Sequence, residues 1–78
     1  MENLLKVEVR LFAYFREGRE KKQIMELEEG TTISDVIKIL DIDEKEVSIA
    51  LLNGMDGPFH RELKDGDIIA LFPPVGGG

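Results

Sequence analysis

Nine consecutive residues, LKVEVRLFA (5–13), place Leu5, Val7, Val9, Leu11 and Ala13 on one side of an extended chain and Lys6, Glu8, Arg10 and Phe12 on the other. A period of two held over that length is a strand with one dry face and one wet face. Further on the period changes. Ile33, Val36, Ile37 and Leu40 follow i, i+3, i+4, i+7, the single apolar stripe of an amphipathic helix. A half-buried strand and a one-striped helix satisfy each other in two layers, with the stripe laid across Val7, Val9 and Leu11. That sets the class as α+β, with one main helix on one face of a small sheet.

The remaining elements fit this frame. REGREKK (16–22) is charged around Gly18 and reads as a turn or loop, and QIMELE (23–28) as a second strand that pairs with the first as a hairpin. Thr32 is the natural helix N-cap, and Asp35 three residues on completes a capping box and suits the positive helix end. The helix should stop near Ile42. VSIALLNG (47–54) is a strand run ending in an Asn-Gly turn, MDGP a further turn, and FHREL (59–63) a short segment. KDGD (64–67) is a tight turn whose Gly66 takes φ > 0, leading into the last strand, IIALF (68–72). Pro73 has no N–H to donate and ends the pairing. One domain, 1–72, with an extended tail, 73–78, accounts for the chain.

Composition excludes several chemistries. There is no cysteine and one histidine, so neither a disulfide framework nor a Cys/His zinc site is available. The net charge of −6 argues against binding a nucleic-acid backbone. MENLLKVEVRLF has no apolar run of signal-peptide or membrane-span length, so no membrane role is expected and the cytoplasm is the expected location. His60 beside Arg61 has no positioned partner and reads as a surface residue. Asp41, Asp43 and Glu44 lack calcium-loop spacing and read as a solvated acidic loop. Asn53-Gly54 and Asp56-Gly57 are turn chemistry, since no helix start follows them. Nothing inside the domain reads as catalytic.

That leaves FPPVGGG (72–78). A chance Gly-Gly at two given positions is roughly a one-in-two-hundred event, so an appended tag or a flexible extension is the better bland explanation. Pro73 and Pro74 speak against both, because they favour an extended polyproline segment that launches the chain off the sheet. Six nearly extended residues reach roughly 20 Å. Gly76, Gly77 and Gly78 lack Cβ atoms and can thread a channel too narrow for side chains.

FPPVGGG after LKDGDIIAL resembles the C-terminus of the ubiquitin-like sulfur carriers of the MoaD/ThiS type, in particular the small subunit of molybdopterin synthase. VRLFAYFRE (9–17), GTTISDVIKIL (30–40) and LLNG (51–54) are similar to the family's first strand, helix start and penultimate turn. The family commonly has another residue where Gly76 stands. The resemblance implies a ubiquitin-like β-grasp fold, a mixed sheet of four to five strands with the first and last parallel neighbours at its centre.

It also implies a mechanism centred on Gly78. An E1-like adenylating partner, which uses the ATP, activates the Gly78 carboxylate. Sulfur from a persulfide donor protein then replaces AMP and leaves a thiocarboxylate. Pro73, Pro74, Val75, Gly76 and Gly77 thread the terminus into the partner. In the pterin branch, which Pro-Pro-Val favours, that partner is the large subunit of molybdopterin synthase. The chain would then be a protein cosubstrate, not an enzyme by itself, with no bound cofactor or metal. If the first and last strands are neighbours, Phe12 and Phe72 form an exposed docking patch at the tail root, as the family uses; alternatively they finish the core edge. Other destinations of the same chemistry stay open: thiazole, transfer-RNA thiolation, cysteine synthesis, or a ubiquitin-like modifier joined to lysines. So does a plain β-grasp interaction domain with an inert tail.

Overall fold

The computed structural model describes residues 4–74. Its elements run β1 (Leu5–Leu11), β2 (Lys22–Leu27), α1 (Ile33–Ile39), β3 (Ile49–Leu52), β4 (Met55–Asp56) and β5 (Ile68–Phe72), with 3-10 turns at Ala13–Arg16 and Glu44–Glu46. The five strands form one sheet in the order β2-β1-β5-β3-β4. β1 is antiparallel to β2 and parallel to β5, and β5 is antiparallel to β3. The first and last strands are therefore central neighbours, and with α1 on one face the architecture is the ubiquitin-like β-grasp.

The alternation in β1 decides which face is dry. Val7, Val9 and Leu11 are fully buried and meet Ile69 and Leu71 of β5, Ala50 of β3, and Ile33, Val36 and Ile37 of α1. Leu27 is buried, and Met25 and Leu40 pack partly against the same cluster. Both cap groups expected of α1 are made: Asp35 N–H donates to Thr32 Oγ1 at 3.2 Å, and Thr32 N–H donates to Asp35 Oδ2 at 3.0 Å. These bonds hold the Asp35 carboxyl below the usual carboxylate range, the Thr32 backbone N–H being the main cause.

Four local expectations are corrected. β1 ends at Leu11, not Ala13, because Phe12 turns the chain into the 3-10 turn and Ala13 sits at φ 53°, exposed. The helix ends at Ile39, before Ile42. Asp41 at φ 59° donates its N–H to Lys38 O and Ile42 N–H donates to Ile37 O, a Schellman closure with Asp in the usual glycine position. β3 begins at Ile49 because the 3-10 turn reaches Glu46. Met55–Asp56, expected within a turn, forms a two-residue edge strand folded back by Asn53-Gly54, and 59–63 forms only an isolated bridge from Glu62 to Thr32.

The KDGD turn fixes the relation of β1 to β5. Lys6 N–H donates to Asp65 Oδ1, Gly66 N–H to Lys6 O and Glu8 N–H to Asp67 O, all at 2.8–2.9 Å. Gly66 takes φ 87°, as expected. Asp67 also accepts from Lys64 N–H and Asn53 Nδ2, while Asn53 Oδ1 accepts from Ile68 N–H. The Asn-Gly and Lys-Asp-Gly-Asp turns are thus one hydrogen-bonded unit that sets the start of β5.

Candidate functional site: the root of the tail

Strand parity puts Phe12 and Phe72 on the face of the sheet away from α1, and the parallel β1–β5 pairing puts them side by side. Their rings stack with centroids 4.3 Å apart and planes 11° from parallel. The Arg16 guanidinium lies 5.1 Å from the Phe12 centroid and donates from Nε to Leu11 O at 2.7 Å, which holds it beside the ring. Both phenylalanines are half-buried, less exposed than an open patch, and neither belongs to the core cluster or to the residues packed against it. The core-edge reading therefore does not describe them.

The backbone of the root is tied on both sides. Phe12 N–H donates to Leu71 O at 3.2 Å, and Ser48 N–H donates to Phe72 O at 2.8 Å. Pro73 is buried and Pro74 exposed. Beside it, Ala13, Tyr14, Ser48, Ile49, Phe72, Pro73 and Pro74 line an apolar hollow of about 390 Å³. Ala13, one of its lining residues, is left-handed at φ 53°. Ala is a poor occupant of that conformation, which costs on the order of 1 kcal/mol, and neither parity nor turn composition marks it in the sequence. Val75, Gly76, Gly77 and Gly78 lie outside the described residues.

The other candidates have structural work. His60 is exposed, and among the described residues its side chain makes no hydrogen bond. Asp43 Oδ1 caps the second 3-10 turn through Lys45 N–H, and Glu44 accepts from the Ser34 hydroxyl. Arg61 is a residue whose role the sequence did not reveal. It donates to Pro58 O, Met55 O and Ala50 O at 2.6–3.0 Å and pins the stretch between β4 and the isolated bridge. Gly57 lies close beneath it: a Cβ there would stand 3.1 Å from the guanidinium, which would have to give by a few tenths of an ångström. Arg19 likewise donates to Leu40 O and Asp41 O, closing the C-terminal end of α1. No helix of the described residues is long and apolar enough to cross a membrane, and no group of three His, Cys, Asp or Glu among them is placed to hold a metal ion.

A β-grasp sheet with an aromatic stack at the root of a Pro-Pro-Val-Gly-Gly-Gly segment defines a ubiquitin-like carrier or modifier. The chain belongs to the ThiS family, whose profile matches residues 9–78. It is 33% identical to small archaeal modifier protein 3 of Haloferax volcanii, over 95% of this chain and 100% of that one. It also matches the structure of a putative molybdopterin converting factor subunit 1 from Pyrococcus furiosus, with TM-score 0.72, 33% identity, and 91% and 99% of the two chains covered. A third match is to the complex of subunits 1 and 2 of the molybdopterin-converting factor of Helicobacter pylori, with TM-score 0.63, 30% identity, and 95% and 100% covered.

Proposed function

We propose that the chain is a sulfur carrier for molybdopterin synthesis, its working group the carboxylate of Gly78. The observation that carries this is the family match running through residue 78, diglycine included, on a domain whose last strand ends at Phe72 in an aromatic stack. In the first step a carboxylate oxygen of Gly78 attacks the α-phosphorus of ATP on an E1-like partner and pyrophosphate leaves. The terminal sulfur of a persulfide then attacks the carbonyl carbon and AMP leaves, giving an acyl disulfide. A second thiol reduces the S–S bond and frees the thiocarboxylate. The domain supplies no catalytic group; it presents the tail and is read by the enzymes that act on it. The converting-factor neighbours support the pterin destination and a large-subunit partner that receives the tail. Phe12 and Phe72 would be the docking contact at its root, with Pro73, Pro74, Val75, Gly76 and Gly77 as the threaded lever.

A second reading has its own support: the 33% identical relative is named a modifier protein, and one adenylated Gly78 serves either fate. Intact-mass measurement after incubation with ATP, a sulfur donor and the adenylating partner tests both. A gain matching one oxygen replaced by sulfur, lost on deletion of Gly78, is expected of the carrier. Recovery of the chain only in isopeptide bonds to lysines would replace the carrier reading with the modifier one. An unchanged mass and no conjugates would leave the tail inert.

A further inference from the structure

The strand register arranges the open face of the sheet in transverse rows. At the tail end stand Phe12, Phe72 and Ile49, with Phe72 opposite Ile49. The next row runs Lys22, Arg10, Ala70, Leu51, Asp56, each residue the register partner of the one before it. It passes from two cations through two apolar residues to a carboxylate, in steps of about 4.8 Å, the spacing of neighbouring strands.

The cationic end is the unusual one. Like charges directly opposite on paired strands lower sheet stability. The chain nevertheless sets Arg10 against Lys22, although it carries only ten Lys and Arg against sixteen acids. Arg10 leans back on Glu8, the one ion pair among the described residues, and still has 45% of its side chain exposed. Lys22 is exposed and makes no ion pair among those residues. Five of the ten cations fall between positions 10 and 22, and one of these, Arg16, lies against Phe12 at the tail root.

We propose that Arg10 and Lys22 form a carboxylate-binding site on the open face for the adenylating partner. That partner sets an acidic side chain between the two cations and an apolar one over Ala70 and Leu51, one row behind the aromatic stack. The adenylating enzyme is the occupant because carrier and modifier fates alike pass through it. The proposal rests on the tail-root docking proposed above and adds the chemistry of what docks.

The test is ATP–pyrophosphate exchange by the adenylating enzyme of the same source, with Lys22→Glu and Lys22→Arg compared with wild type. Lys22→Glu is expected to hold or raise Tm, since it turns a repulsive cross-strand pair into an attractive one. It should raise the KM for the carrier about tenfold at unchanged kcat, and flatten the rise of KM between about 50 and 300 mM salt. Lys22→Arg should restore all three. A KM for Lys22→Glu within about twofold of wild type, with the wild-type salt response, would overturn the proposal, as would a lowered Tm with kcat and KM both impaired. No exchange with wild type would count first against the carrier reading and remove this proposal with it.

Discussion

The two faces of the sheet are made by alternate residues of the same strands, yet they solve different problems. On the α1 side, Val7, Val9, Leu11, Ile69 and Leu71 are all fully buried and interchangeable in chemistry. On the open side the same strands carry Glu8, Arg10, Ala70 and Phe72, with Phe12 just past the end of β1, and these differ in charge, size and exposure. Packing explains the first set completely. It does not explain the second, where an aromatic stack lies outside the core and two cations face each other. The difference teaches that residues two apart in this chain share a purpose and adjacent ones do not.

Substitution on the two faces should therefore separate stability from binding. The largest effect is expected from Leu71→Ala, which empties a fully buried site and should lower stability by about 3–4 kcal/mol, on the order of 15 °C or more in Tm. Partner affinity of the fraction still folded should be unchanged. Thermal melts beside titration calorimetry check it, and a lost affinity in the folded fraction would break the comparison. Arg61→Met removes three hydrogen bonds to backbone carbonyls, the one to Ala50 O partly buried. A loss of about 1–3 kcal/mol is expected, measured by urea unfolding and not recovered by Arg61→Lys, whose single amine cannot fork.

Phe72→Ala should invert the pattern. Losing the stack costs about 1 kcal/mol of stability, but partner affinity should fall roughly thirtyfold. A Tm drop matching that of Leu71→Ala with intact binding would return Phe72 to the core. The smallest effect belongs to Asp35. Its folded carboxyl titrates below its unfolded value, so its contribution is present above about pH 4 and is lost as pH falls through the lowered folded value. Asp35→Asn should flatten that acid limb of Tm against pH and leave neutral-pH binding alone.

What was legible in the sequence follows the range of the interactions. The cap of α1 is local, and Thr32 and Asp35 announced it. Parity placed Phe12 and Phe72 on the open face, and the family resemblance supplied the parallel pairing that joins them. The C-terminal end of α1 was hidden because Asp41 does what glycine ordinarily signals, and Ala13 hid the end of β1 in the same way. The tasks of Arg61 and Arg19 depend on carbonyls up to 22 residues away, beyond any local pattern. Likewise the row from Lys22 to Asp56 exists only once five strands are in register, so no window along the chain contains it.

The placement of β5 has a mechanical consequence. A strand at the rim of a sheet unzips when its end is pulled, because the load falls on one hydrogen bond after another. Here Pro73 and Pro74 follow a strand flanked on both sides, by β1 and β3, with Phe72 O accepting from Ser48 N–H just before β3 and Leu71 O from Phe12 N–H just after β1. A pull applied at Pro74 would therefore be shared in shear by two ladders at once, and would have to overcome both before the domain could peel open.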